Sequence, residues 1–352
     1  MIPAALAVPG DITTVTGGYI YDRRLLEELR HAGRTMRLIP LSDSFPFPTA
    51  ADMAADLALL QAIPPDCPVM IDGLAFGAMD RAGVAAIAAP IVALVHHPLA
   101  LETGLAPAEA ARLFETERAN LRHAAEVVVP SPHTAALLAE RYGVPVQRLH
   151  VARPGTQPPR ANPPRQLVTP PLILSVGILH PRKGHDVLIA ALARIADLDW
   201  QAQIVGTPWQ AGHSDSLRQQ ISALGLASRV RLAEAVPAEA LARLYAEASV
   251  FALATRHEGY GIVFNEALAH GLPIVSCRTG AVPDTVPGDA GILVPCDDAA
   301  AFAGALRALL TDQGLRTALS DAASRHGATL SDWAETARIA GRALDAAARG
   351  AA

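Results

Sequence analysis

Arg256-His257-Glu258-Gly259-Tyr260-Gly261-Ile262-Val263-Phe264-Asn265-Glu266-Ala267-Leu268-Ala269-His270-Gly271-Leu272-Pro273-Ile274-Val275-Ser276 is the stretch whose reading decides the fold. It follows the apolar run Val250 to Leu253, which reads as a strand. Gly259 and Gly261 break the chain, and helical spacing then runs from Ile262 to His270. Gly271 ends that helix and Pro273 opens the next strand. The break sets the backbone N–H groups of Tyr260 to Val263 at a helix N-terminus, which carries about half a positive charge and suits an anion such as phosphate. Gly259 and Gly261 let a ligand come close to the backbone.

The same alternation of strand and helix extends outward in both directions. Upstream, strands are expected at Ala4 to Val8, Met36 to Pro40, Val69 to Asp72, Ile91 to Val95, Val127 to Val129 and Leu149 to Ala152. Helical spacing between them covers Tyr19 to His31, Ala51 to Gln61, Pro107 to His123 and Pro132 to Arg141. Around the opening stretch, further strands are expected at Leu172 to Val176, Ala202 to Val205, Val230 to Leu232 and Ile292 to Val294. Helices His185 to Ile195, Ser216 to Leu224 and Ala238 to Ala246 alternate with them, and Ala-rich helices follow Asp298. Strands separated by helices pair in parallel, so the fold class is α/β with doubly wound sheets. Prolines 154, 158, 159, 163, 164, 170 and 171 crowd one stretch, which reads as a linker. The expected organisation is a Rossmann-like domain over 1–153, a linker over 154–171, a second Rossmann-like domain over 172–330, and a closing helix within 331–352 that packs back toward the first domain. A chain of 352 residues accommodates two domains of ~150 residues. Two such domains face each other across a cleft, and the carboxyl ends of their strands are the place for a ligand.

Composition excludes several classes. Asp and Glu number 34 against 29 Lys and Arg, so the basic stripe of a nucleic-acid binder is absent. Cys67, Cys277 and Cys296 are odd in number and form no CxxC, which fits buried thiols in a reducing cytoplasm. The start of the chain reads as a strand rather than a signal peptide. The apolar run from Val84 to Val95 is broken by Pro90 and falls short of the ~20 residues of a membrane span. No integral membrane segment is expected, and the location expected is cytoplasmic.

Glu258 lies just before the phosphate-binding turn and Glu266 lies within the helix after it. Acceptors on both sides of a phosphate site suit a ligand with hydroxyls at both ends, each charge-assisted hydrogen bond contributing about 1.5–3 kcal/mol. A nucleotide sugar has that layout of sugar, diphosphate and ribose. The complete string resembles the E-x7-E region of retaining glycosyltransferases of the GT-B fold, and more narrowly glycosyltransferase family 4. Upstream, Leu174-Ser175-Val176-Gly177-Ile178-Leu179-His180-Pro181-Arg182-Lys183-Gly184-His185-Asp186 resembles the diphosphate-binding strand-loop-helix of that family. Lys183 matches the family lysine. Ile178 stands where the family has an arginine, and Arg182 is the neighbouring cation that could take its place. Ile204-Val205-Gly206 resembles the strand end that places a glycine near the donor. Arg231 to Ala246, with Leu244-Tyr245, resembles the segment that meets the base through backbone groups. Thr279 to Asp284 resembles a Gly-rich loop.

In the first domain, Thr16-Gly17-Gly18-Tyr19 opens the first long helix, and the resemblance gives Gly17 and Gly18 the loop that approaches the donor phosphate. Tyr19 and Tyr21 line the acceptor pocket or belong to the core. Ile91 to Val95 is a strand that ends in His96-His97-Pro98. By resemblance His96 contacts the transferred sugar, with His97 as its competitor, and Ser131 matches a family serine. Asp197-Leu198-Asp199 reads as a polar turn, and His257-Glu258 begins no HExxH because Gly261 stands where the second histidine belongs.

The resemblance implies a hexosyltransferase that moves a sugar from a nucleoside diphosphate sugar to an acceptor hydroxyl with retained configuration. His96, Lys183 and Glu258 are its expected catalytic residues. Gly17, Gly18, Arg182, Lys183, Gly206, Glu258, Gly259, Tyr260, Gly261 and Glu266 are its expected donor-binding residues. No cofactor beyond the donor and no metal is expected. The partners expected are the donor and an acceptor that is a glycan, a small molecule or a lipid-linked sugar. Two other readings remain: a non-catalytic nucleotide-sugar-binding protein, and another GT-B enzyme such as an epimerase or a phosphorylase.

Overall fold

The computed structural model describes residues 1–156, 166–209 and 211–350. The prolines at 158, 159, 163 and 164 lie outside the described residues. The chain divides into two units, Met1–Gly155 with Ser331–Ala352, and Thr156–Leu330.

The first unit is built on β1 (Ala4–Pro9), α1 (Gly17–His31), β2 (Met36–Leu41), α2 (Ala50–Gln61), β3 (Val69–Asp72), α3 (Gly73–Phe76), α4 (Arg81–Ala85), β4 (Ile91–Leu94), α5 (Pro107–Asn120), β5 (Ala124–Val129), α6 (Pro132–Tyr142) and β6 (Leu149–Val151). Its sheet of six strands has the order β2-β1-β3-β4-β5-β6, and its paired strands run in parallel. β1, β3 and β4 are buried along their whole length, because helices cover both faces of a parallel sheet. Their runs of Ala, Val, Ile and Leu therefore show no alternation.

The second unit contains β7 (Leu172–Val176), α7 (His185–Ala193), β8 (Gln201–Val205), α8 (His213–Ala223), β9 (Val230–Ala233), α9 (Ala238–Glu247), β10 (Ala248–Leu253), α10 (Ile262–Ala269), β11 (Ile274–Cys277), α11 (Val282–Thr285), β12 (Gly291–Val294), α12 (Ala299–Thr311) and α13 (Gln313–Gly327). Its sheet order is β12-β11-β10-β7-β8-β9, the order of a dinucleotide-binding fold. One core packs Leu188, Leu192, Trp200 and Phe302 on one face of the sheet. The other packs Phe251, Phe264, Leu268 and Leu272 on the opposite face.

The last helix, α14 (Trp333–Gly350), belongs to the first unit and packs on α1 and β5. Trp333, Ala337, Ala340, Leu344 and Ala347 form its buried stripe at the helical repeat. Arg34 fastens it, donating to Gly341 O at 3.2 Å and to Asp345 Oδ1 at 2.8 Å.

Three short helices escape the periodicity argument. α3, α4 and α11 are too short to show a 3.6-residue repeat. Asp72 and Asp80 cap the first two, accepting the N–H groups of Leu74 and Gly83 at 2.8 Å each. The stretch Thr279 to Asp284, read as a loop, thus runs into a helical turn at Val282.

Candidate active site

In an open α/β sheet a ligand sits beyond the carboxyl ends of the strands, where the strand order reverses. In the second unit the reversal lies between β7 and β10. The loop after β7 carries Arg182 and Lys183, and the loop after β10 carries Arg256, Glu258, Gly259, Tyr260 and Gly261. Lys183 Nζ donates to Glu258 Oε1 at 2.6 Å. Arg182 Nη1 stands 3.9 Å from Glu258 Oε2 and donates to His257 O at 3.2 Å. Thr255 Oγ1 lies 3.0 Å from Glu258 Oε1 and 3.1 Å from the carbonyls of Arg182 and His257, so its single proton serves one of three acceptors. Glu258 is only 4% exposed. Burial opposes its charge, but Lys183, Arg182 and the hydrogen bonds outweigh burial and hold its carboxyl below the usual range. The site is thus two cations around one buried carboxylate.

The first turn of α10 borders this group. Gly261 is its N-cap at φ 88° and, as a glycine, supplies no side-chain cap. A Cβ at Gly261 would stand 2.5 Å from Phe264 Cδ2, so both conformation and space require glycine. Tyr260 turns its side chain inward, where its hydroxyl meets the Asn265 side-chain amide, with Asn265 Nδ2 donating at 2.9 Å. Tyr260 therefore offers this site its backbone rather than its ring. Gly206 serves a close approach: a Cβ there would stand 1.8 Å from Gly177 O. It lets the loops after β7 and β8 meet. On the other side of the β7 loop, buried His185 places Nε2 3.3 Å from Gly177 O. Burial pulls its pKa down to about 4, so it is a neutral donor to that carbonyl.

Glu266 lies on α10 and accepts from Tyr245 Oη at 2.7 Å through Oε2. The Tyr245 ring stacks on His270 with centroids 4.9 Å apart. Burial raises the Glu266 pKa, against the lowering effect of the tyrosine bond.

In the first unit the strand order reverses between β1 and β3. Gly17 and Gly18 open α1 in the loop after β1, and a Cβ at Gly18 would lie 3.4 Å from His96 Cδ2. His96 follows β4, with Nε2 2.8 Å from Asp22 Oδ1 and 3.4 Å from Asp72 Oδ2. Burial works against an imidazolium here, but the two aspartates outweigh it and push the His96 pKa up to about 10. Burial also raises the Asp22 pKa. His97 lies instead 3.6 Å from Glu102 Oε2. Tyr21 is a core residue whose hydroxyl donates to Ala152 O at 2.8 Å. Ser131 is the buried N-cap of α6, accepting from Thr134 N at 3.0 Å. Asp197 pairs with Arg307 at 2.7 Å at the surface.

Sequence reasoning did not find Asp22, Asp72, His185, Tyr245, Thr255 or Arg256 as members of these groups. Two of them carried a signal. Asp72 ends β3 as His96 follows β4, so the strand-end rule applies to it equally. Asp22 is a charged residue on the apolar face of α1, among Tyr21, Leu25, Leu26 and Leu29. Asp22, Asp72 and His96 also offer one ligand atom each within 4.8 Å of one another, a donor set that a divalent cation accepts.

Comparison with known proteins follows the same division. The family model described as Glycosyltransferase Family 4 matches residues 21–160, and that described as Glycosyl transferases group 1 matches residues 170–312. A D-inositol 3-phosphate glycosyltransferase of Corynebacterium glutamicum is 34% identical over 172 residues, covering 47% of this chain and 41% of the relative. A GDP-mannose-dependent alpha-(1-6)-phosphatidylinositol monomannoside mannosyltransferase of Mycolicibacterium smegmatis is 34% identical over 214 residues, covering 58% of this chain and 49% of the relative. The chain spans about half the length of the curated relatives it matches. Among solved structures, a sucrose-phosphate synthase from Thermosynechococcus elongatus superposes with a TM-score of 0.78 at 22% identity, over 97% of this chain and 98% of the other. HepE of Anabaena, in complex with UDP and glucose, gives 0.74 at 16% identity, over 98% and 100%. These likenesses show the GT-B fold.

Proposed function

We propose that this chain, which belongs to glycosyltransferase family 4, transfers a hexose from a nucleoside diphosphate sugar to an acceptor hydroxyl with retention at the anomeric carbon. The observation that carries the reading is the Lys183–Glu258 pair at the strand-order reversal of the second unit, 2.6 Å long and beside the glycine-capped first turn of α10. A carboxylate that is buried and charged is an acceptor for sugar hydroxyls. A lysine, an arginine and a helix N-terminus are donors for a diphosphate. Glu266 would take the ribose hydroxyls through the oxygen that Tyr245 leaves free.

In the reaction the bond between the anomeric carbon and the diphosphate oxygen breaks, and its electron pair leaves with the diphosphate. Lys183, Arg182 and the α10 N-terminus stabilise that charge as preorganised donors. The acceptor oxygen attacks from the face the diphosphate vacates, and its proton passes to the departing diphosphate oxygen. His96, the expected catalytic residue of the first unit, is held there by Asp22 and Asp72. The scheme assigns the leaving-group charge to Lys183, Arg182 and the α10 N-terminus and includes no metal. UDP and GDP donors are the first to test, since a neighbour in fold binds UDP and a relative is described as GDP-mannose-dependent. No helix among the described residues is long and apolar enough to cross a membrane. Cytoplasmic residence is proposed from the three free cysteines.

Thermal-shift titration with UDP-, GDP- and ADP-sugars, followed by NMR of the product formed with sugar and polyol acceptors, tests the reading. Stabilisation by one donor class and a product of retained configuration are expected. Absence of any stabilisation would remove the donor site, and an inverted product would remove the same-face attack.

A further inference from the structure

Arg256 stands two residues before Glu258, and Ile178 leaves the β7 loop one cation short of the family pattern. An arginine in that place is the obvious substitute for the missing phosphate contact. Its geometry assigns it elsewhere. Arg256 Nη1 and Nη2 form a bidentate pair with Asp186, at 3.0 Å to Oδ1 and 2.7 Å to Oδ2. Nε donates to Asp297 Oδ1 at 2.7 Å. Nη1 also donates to the carbonyl of Pro181, and the backbone N–H of Arg256 donates to the carbonyl of Arg182 at 2.8 Å. Four of the five guanidinium N–H groups are thereby spent within the protein, and two carboxylates more than offset its charge.

The acceptors define what this arrangement does. Pro181 and Arg182 are two of the three residues in the 3-10 turn Pro181–Lys183, which presents both cations of the site. Asp186 lies in the first turn of α7, directly after it. Arg256 thus grips the turn by its backbone and by the helix that follows. Asp297, its third partner, is held at φ 58°, a left-handed conformation that costs a non-glycine residue energy. Placing the Asp297 carboxylate on Nε is a contact that such a conformation serves.

We propose that Arg256 is a positioning residue for the diphosphate site: it fixes the Pro181–Lys183 turn so that Lys183 and Arg182 meet the ligand, and it does not touch the phosphates itself. The inference rests on the donor reading above. Lysine in its place keeps one charge but loses the planar fork that spans Asp186, Asp297 and Pro181 together.

The test is a double-mutant cycle on the full chain, with affinities for UDP, GDP and ADP read by ligand-observed NMR, which reaches millimolar dissociation constants. Arg256→Met in the wild-type background should weaken the diphosphate that binds by at least tenfold. In a Lys183→Met background the same change should cost a smaller factor than in the wild type, since one of the two cations that the residue positions is gone. Arg256→Lys should not restore wild-type affinity. Equal factors in both backgrounds, no loss in the wild-type background, or full rescue by lysine each overturn the proposal. Should Arg256→Met fail to fold, Asp297→Asn removes one anchor only. That variant should weaken the diphosphate measurably with Lys183 present, and unchanged affinity would count against the clamp. If the wild type binds none of the three diphosphates, the donor reading fails first, which separates that failure from failure of the clamp.

Discussion

Lys183 Nζ and Glu258 Oε1 are 2.6 Å apart across 75 residues of sequence, with side chains 12% and 5% exposed. The contact couples the two motifs that the sequence presents separately. In the free protein the lysine balances the glutamate, and a diphosphate would compete for the same ammonium. Ligand binding and stability therefore meet in one pair.

Removing one partner of a buried pair leaves the other charge uncompensated, at a cost of about 3–5 kcal/mol. Lys183→Met should approach that loss in urea denaturation, moderated because Arg182 remains 3.9 Å away. Glu258→Gln should cost less, because its amide oxygen can still accept from Lys183. The glutamine variant is expected to bind the nucleoside diphosphate at least as tightly as the wild type, since the competing carboxylate is gone, while losing roughly tenfold or more for the nucleotide sugar relative to the diphosphate, the equivalent of one charge-assisted hydrogen bond. Equal loss for both ligands would show that Glu258 does not read the sugar.

Glu266 has one carboxylate oxygen engaged by Tyr245. Glu266→Gln should reduce discrimination between a ribonucleoside diphosphate and its 2′-deoxy and 3′-deoxy analogues. Roughly tenfold is expected, one charge-assisted bond. Calorimetric titration with the three ligands checks it. A variant that still discriminates as the wild type does would place the ribose elsewhere.

Glu117 is a fully buried carboxyl that accepts from Leu99 N at 3.1 Å. Burial pushes its pKa up to about 8, above the ~4.3 of an unfolded chain. A raised folded pKa means that the folded state holds the proton more tightly. The stability it contributes is complete below the unfolded value and is lost as pH rises through about 8. Glu117→Gln, which imitates the protonated acid, should therefore gain melting temperature relative to wild type as pH goes from 5 to 9. A difference independent of pH would mean that Glu117 is not the buried acid described.

Turnover in the presence of excess EDTA should match turnover without it, since the proposed leaving-group chemistry uses Lys183 and Arg182 rather than a metal ion. If EDTA abolishes activity and a divalent ion restores it, the Asp22–Asp72–His96 group becomes the first place to look for that ion. Loss of the restoring effect in Asp72→Asn would then locate it.

Local chemistry made much of the fold legible. The strands β3 and β7 run over the residues expected, Val69–Asp72 and Leu172–Val176, because apolar runs end where charge or glycine begins. α10 begins after Gly261 because glycine at positive φ and the apolar spacing beyond it are both local signals. The E-x7-E string and Lys183 were likewise visible as motifs. α3, α4 and α11 were not, since four or five residues carry no period.

The sequence by itself determined the alternating elements and the two doubly wound sheets they imply, because each depends on residues within a few positions of one another, and it carried the resemblance of the Glu258–Glu266 and Lys183 stretches to a glycosyltransferase family. Only the tertiary structure decided which side chains share an environment. Arg256 sits beside Glu258 in sequence, yet its partners are Pro181, Asp186 and Asp297. Asp22, Asp72 and His96 lie on three different elements and become one charge group only when β1, β3 and β4 align in the sheet. Charge, burial and hydrogen bonding are properties of distances through space, and parallel strand pairing brings together residues that the order of the chain holds apart.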